Sequence, residues 1–179
     1  MLNFENSFYQ QFSSDFYQKI APQNFPNAEL AFFNDDLARE LNIIKKNLKK
    51  SEIKAIFSGQ KIDSTSIPIA LAYAGHQFGN FVSQLGDGRA ILLGEIVNNN
   101  QRFDVQLKGS GLTKYSRQGD GFMTLSSAIR ELIIGETLYY LQIPTTRILT
   151  LCLTNEKVYR HEINMGAVIA RVATSHIRV

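Results

Sequence analysis

The sequence predicts an α+β lobe, and the order of its patterned segments carries that prediction. Short helical stretches come first, and a two-stranded hairpin follows in the middle of the chain. One long amphipathic helix then separates that hairpin from a run of antiparallel strands. Residues 1–28 hold Phe4, Phe8, Phe12, Phe16 and Tyr17 at spacings near four, which predicts one helical stripe in a leader packed on the main body. Residues 30–33 read as a short strand. Asn34 then caps a helix to about Asn42, with Asp35 and Asp36 in its first turn. A second helix covers about 48–57, burying Leu48, Ile53, Ile56 and Phe57 and ending at Gly59. Its surroundings hold Lys45, Lys46, Lys49, Lys50 and Lys54, a solvated face or a basic binding surface.

The middle changes character, with five glycines between Ile67 and Val97. They imply sharp turns or close backbone approach around a site. Residues 89–97 form a buried strand, Asn98 to Asn100 a turn, and Phe103 to Lys108 the returning strand. A polar loop leads to the long helix over 124–141. Thr124 is its cap, and Leu125, Ile129, Leu132, Ile133, Leu138 and Leu141 make its apolar period. RILTLCL and KVYRHEI follow as strands joined at Thr154 and Asn155, and AVIARVA makes a third.

Composition narrows the function. The 179 residues are 44% apolar and 11% aromatic, enough for a core. The net charge of +3 is too small for a dedicated nucleic-acid binder, and no nucleic-acid motif is present. The single cysteine, Cys152, excludes an internal disulfide and a cysteine zinc cluster, and reads as a small buried hydrophobe. His76, His161 and His176 lack metal spacing, and His76 reads as structural. There is no secretory signal and no run near the ~20 apolar residues that span a bilayer. The expectation is a cytoplasmic protein with neither membrane nor nucleic-acid partners.

Several residues invite chemistry. Lys108 ends an apolar strand, and Glu131 lies 23 positions on in the long helix. A strand lysine paired with a helical glutamate orients phosphates in protein kinases, but spacing alone favours an ordinary surface or structural ion pair. Gly86, Gly88 and Arg89 form a loop whose amides and guanidinium suit an anion, or a strained turn feeding a strand. The pattern excludes a Walker A loop and a dinucleotide fingerprint. Gly119, Asp120 and Gly121 repeat the theme before the long helix. There Asp120 suits a divalent ion, a ribose hydroxyl, the positioning of an arginine, or an Asx cap of its own turn. Arg171 and Arg178, near Arg160 and His176, make the C-terminal end basic.

YAGHQFGNFVSQLGDGRAILLGE, FDVQLKGSG, TKYSRQGDG, SSAIRELIIGE, IPTTRIL and RVATSHIR resemble, in order and spacing, the N-terminal portion of the selenoprotein O family. That resemblance implies a protein-kinase-like fold. The nucleotide-binding lobe would occupy residues 66–179 and a family-specific helical leader residues 1–65. It implies AMP transfer from ATP, bound flipped relative to ordinary kinases, to Ser, Thr or Tyr hydroxyls of protein substrates. Gly86, Gly88, Arg89, Lys108, Glu131, Asp120, Gly121, Arg171 and Arg178 would then serve the nucleotide. Mg2+ or Mn2+ would be held by residues the family carries further along, where its catalytic base also lies. On that reading the 179 residues are an N-terminal fragment, inactive alone. The alternatives are a non-catalytic ATP-binding fragment complemented by a separate C-terminal lobe, or a gene remnant. Phe122 stands where the family has an arginine, which removes a basic contact. Lys114 replaces a proline, and the IIGE stretch of the helix differs from the family's usual residues there.

Overall fold

A computed structural model describes residues 2–6, 11–43 and 48–176. Nine strands are present among these residues: β1 (Tyr17–Lys19), β2 (Glu29–Phe33), β3 (Ile69–Gln77), β4 (Asn80–Gly86), β5 (Ala90–Asn98), β6 (Gln101–Lys108), β7 (Met123–Thr124), β8 (Arg147–Tyr159) and β9 (Ile163–Ala173). Three α-helices accompany them: α1 (Asp35–Glu40), α2 (Lys50–Phe57) and α3 (Leu125–Tyr140). The sheet runs β1-β3-β5-β6-β9-β8-β2, with β4 added on β3 and β7 on β9. Every pairing is antiparallel, so the α+β class holds.

Local chemistry set several elements as expected. Asn34 caps α1 by accepting from the Leu37 amide, and Thr124 caps α3 by accepting from the Ser127 amide. Asn99 and Asn100 both have positive φ, 50° and 59°, as a two-residue hairpin turn between β5 and β6 requires.

Side-chain parity divides the core. Leu149, Val168, Ala170 and Val172 join a cluster with Phe25, Leu37, Ile53 and Phe57, under α1 and α2. Their neighbours Ile148, Ala167 and Ile169 pack with Ala128 and Leu132 of α3. Successive strand residues therefore point to opposite layers. The same alternation sends Leu107 into the α1/α2 layer and leaves Lys108 and Gln106 for the α3 face.

Four expectations need correction. Among the described residues the N-terminal aromatics form no helical stripe. Phe4 is buried beside a bridge in which Glu5 and Glu95 exchange both backbone hydrogen bonds at 2.8 Å, Tyr17 lies in β1, and Phe12 and Phe16 are exposed. Phe8 lies outside the described residues, as do Lys45 and Lys46. The leader does pack on the body, as expected, but it supplies two strands to the common sheet as well as helices. The glycine-rich segment 69–86 is a hairpin, β3–β4, with Phe78 and Gly79 at positive φ in its tip. Residues 147–159 are one strand: Asn155 takes φ 58° at an irregularity, and pairing to β9 resumes at Lys157. Finally, α3 buries Ala128 and Gly135, with Leu125 and Leu132 half-buried, while Ile129, Ile133 and Leu141 are exposed. A Cβ on Gly135 would stand 2.8 Å from the Thr146 carbonyl oxygen, so helix and strand approach too closely for larger residues there.

Buried Arg147 fastens the C-terminal end of α3. Its guanidinium holds Glu136 through two hydrogen bonds of 3.1 and 2.8 Å, reaches Glu40 at 3.0 Å, and lies 3.5 Å over the Tyr139 ring. Cys152 is fully buried, which pushes its thiol pKa up to about 12 and leaves it inert. Among the described residues no helix is long and apolar enough to cross a membrane.

Candidate functional site

The α3 face of the sheet, at the end of β6, gathers most of the predicted residues. Lys108 Nζ lies 2.6 Å from Glu131 Oε2. Arg171 Nη1 donates to the other oxygen of Glu131 at 3.3 Å, and its Nη2 donates to Gln106 Oε1. The register explains this convergence: Gln106 pairs with Arg171 and Lys108 with Ile169 across β6 and β9, so the two basic side chains emerge side by side. Gln106 Nε2 in turn donates to Asp87 Oδ2 at 2.9 Å. One polar network thus runs from α3 through Arg171 and Gln106 to the first glycine loop.

Burial and the charge of Arg171 push the Lys108 ammonium below its ordinary pKa despite the Glu131 contact. Burial would raise Glu131, but the hydrogen bond and charge of Lys108, with Arg171, outweigh it and hold the carboxyl below its ordinary value of 4.5. A depressed carboxylate contributes stability that is fully present above the ordinary value and is lost as pH falls through the folded one. Glu131→Gln is therefore expected to flatten the fall of Tm below pH 4.5, measured by thermal melts of both proteins across that range.

The two Gly-Asp-Gly loops pack on each other. A Cβ on Gly86 would stand 2.2 Å from Tyr115 Cγ, and one on Gly88 2.8 Å from the Tyr115 carbonyl oxygen. Ser116 Oγ donates to the Gly88 carbonyl, and Thr113 Oγ1 to that of Asp87 at 2.7 Å. Close loop packing thus accounts for both glycines. In the second loop Asp120 does two of the jobs open to it. Its Oδ1 accepts from the Phe122 amide at 3.0 Å, and both oxygens hold Arg160, at 2.6 and 2.9 Å. The Arg160 hydrogen bond is the main reason its pKa is held low.

These groups enclose a cleft of about 480 Å³ into which Arg89, Lys108 and Arg171 bring positive charge, with Arg160 alongside paired to Asp120. Gly86, Gly88, Asp120 and Gly121 also line it. Glu131 sits behind Lys108 and Arg171, and Arg178 lies outside the described residues. A larger hollow of about 820 Å³ lies between the C-terminal end of α3, α1 and β8. Its one arginine, Arg147, is already neutralised by Glu136 and Glu40, so the smaller cleft is the better anion site.

Sequence reasoning passed over Arg160, Gln106 and Asp87 as site residues. Gln106 was detectable, since it lies two positions before Lys108 and so shares its face. Arg160 carried no local signal, because only the β8–β9 turn brings it to the second loop. Phe122 faces Phe25, ring centroids 6.0 Å apart, so its side chain belongs to the core cluster, and Arg160 places a guanidinium against its backbone carbonyl. His76 stands exposed on β3 against the Phe81 ring.

Divalent ions find no donor set here. Among the described residues there is no cluster of three His, Cys, Asp or Glu, and both oxygens of Asp120 and of Glu131 are engaged by cations.

A strand lysine bonded to a helical glutamate, under glycine loops on an antiparallel sheet, defines a kinase-like lobe. The family model described as "Protein adenylyltransferase SelO" matches residues 1–179, and the chain belongs to that family. It is 49% identical over 177 residues to the protein nucleotidyltransferase YdiU of Nitrobacter winogradskyi, a match covering 98% of this chain and 35% of that protein. The Rhodopseudomonas palustris protein of the same name is 50% identical over 177 residues, covering 98% and 36% respectively. That of Clostridium botulinum is 49% identical over 179 residues, covering 99% and 36%. The chain thus spans 35 to 36% of the length of these relatives.

Proposed function

We propose that this chain forms the ATP-binding lobe of a protein adenylyltransferase, with residues 1–65 bracing a lobe at 66–179. The carrying observation is the Lys108–Glu131 pair set in a cleft that also holds Arg89, Arg160 and Arg171. Gly86, Gly88, Arg89, Lys108, Asp120, Gly121, Arg171 and Arg178 serve ATP in this reading, and Glu131 orients Lys108. A Ser, Thr or Tyr hydroxyl of a protein substrate attacks the α-phosphorus. The new O–P bond forms as the bond to the bridging oxygen breaks, and pyrophosphate leaves. Lys108 and the arginines stabilise the negative charge that develops on the phosphates. Mg2+ or Mn2+ would add charge neutralisation when bound, but Asp120 and Glu131 are already engaged by cations. Asp120 and Glu131, each held by cations, are not placed to accept the hydroxyl proton, which in this reading passes to a base in the remaining length of the protein.

The chain is therefore expected to bind ATP yet transfer nothing by itself. Transfer is expected once the remaining length of a relative is supplied, and label should then pass to protein from α-labelled but not γ-labelled ATP. Calorimetric titration with ATP and the labelling assay check this. Failure to bind ATP, or transfer of γ-label, would overturn the reading.

A further inference from the structure

Arg160 differs from the other cations of the cleft in how fully its edge is occupied. Nη1 donates to Asp120 Oδ2 and to the Tyr159 carbonyl, both at 2.6 Å. Nη2 donates to Asp120 Oδ1 at 2.9 Å and to the Phe122 carbonyl at 3.2 Å. Each terminal nitrogen carries two N–H groups, so all four are used within the protein. Yet the side chain is 39% exposed and lines the cleft. What it offers a ligand is therefore its planar face and Nε, with its charge already balanced by the Asp120 carboxylate. Arg89 is the contrast. Among the described residues it donates only to the Phe122 carbonyl and pairs with no carboxylate, so its fork remains for phosphate.

A guanidinium fixed in its own plane, with its charge neutralised, is a poor phosphate ligand and a good stacking surface for a flat ring. Tyr73 lines the same cleft, its hydroxyl donating to the Gly86 carbonyl at 3.2 Å. We infer that Arg160, held flat by Asp120, is the stacking platform for the nucleobase, while Arg89, Lys108 and Arg171 take the phosphates. Asp120 is then a positioning residue for Arg160. The inference rests on the ATP reading above and assigns the base to a defined side chain within it.

The test separates base from phosphate by titrating the chain with ATP and with inorganic tripolyphosphate. Arg160→Ala and Arg160→Lys are both expected to weaken ATP binding on the order of tenfold, since lysine keeps the charge but not the plane. Asp120→Asn should act the same way, by loosening the platform. Tripolyphosphate affinity should stay within about twofold in Arg160→Lys, which keeps the charge beside Asp120, and this also reports that the variant remains folded. Equal losses for both ligands or retained ATP affinity in Arg160→Lys, or no change in Arg160→Ala, would each overturn the stacking role while ATP binding itself stands. A parent chain that binds tripolyphosphate no more weakly than ATP has no base subsite, which also overturns it. A parent chain that binds neither ligand brings down the ATP reading and this inference together.

Discussion

Lys108→Ala is expected to weaken ATP binding on the order of a hundredfold while leaving the lobe folded. A hydrogen bond to a charged group contributes about 1.5–3 kcal/mol, or roughly 10- to 150-fold in affinity. The upper part of that range applies because the deletion also changes Glu131. That carboxylate would keep only Arg171, and its charge would then repel the incoming phosphates. The cost to folding is small, since burial and Arg171 already work against the Lys108 ammonium, and Arg171 still compensates Glu131. Lys108→Arg should not restore binding, because a guanidinium would pair bidentately with Glu131 and hold its charge away from the ligand. Glu131→Gln should lower affinity less than Lys108→Ala, because the ammonium persists but loses its aim. Calorimetry on the three variants, with thermal melts as the control for folding, decides the matter. Undiminished ATP affinity in Lys108→Ala would remove this lysine from the phosphate site.

How much was legible depended on how local the determining contact was. Asn34, Thr124 and the Asn99–Asn100 turn were readable because a cap or a tight turn is decided within about four residues. The face of α3 was only half readable. Two apolar stripes overlap on it, and the period alone does not choose between them. The choice falls to Ala128 and Gly135, which admit the close approach of the sheet, so Ile129 and Ile133 turn outward. The N-terminal aromatics failed as a helix because a distant partner, Glu95, captures Glu5 and buries Phe4. Asn155 read as a turn because its left-handed conformation is real, but β9 carries the strand across it.

The site follows the same division. Parity and spacing placed Lys108 and Glu131 in plausible elements, but only the β6–β9 register brings Arg171 to the same carboxylate. The paired Gly-Asp-Gly motifs were visible as motifs. Their shared reason, packing of one loop against the backbone of the other, was not. It depends on Tyr115 and Ser116 meeting Gly86 and Gly88 across 27 or more positions of sequence.

Gly121→Ala is expected to destabilise the chain by about 3–5 kcal/mol, and Gly79→Ala by only about 1 kcal/mol. Both glycines have positive φ, 77° and 80°, so both variants incur the same backbone strain. They differ in surroundings. A Cβ on Gly79 meets nothing within 4 Å, whereas one on Gly121 would stand 2.2 Å from the Gly111 carbonyl carbon and 2.5 Å from the Leu112 amide nitrogen. Both atoms are backbone, so no side chain can rotate away, and the two segments must separate. The 3.2 Å hydrogen bond from the Gly111 amide to the Gly121 carbonyl is then lost. For a chain of this length 1 kcal/mol corresponds to roughly 2–4 °C in Tm, so Gly121→Ala should melt about 10 °C below the parent. Because Gly121 lines the cleft next to Asp120, the separation should also move Arg160 and reduce ATP affinity. Gly79→Ala, at the tip of the β3–β4 hairpin, should leave affinity unchanged. Paired denaturant melts and ATP titrations of the two variants measure both effects. Equal destabilisation would show that strain alone, and not the contact with Gly111, makes glycine necessary at position 121.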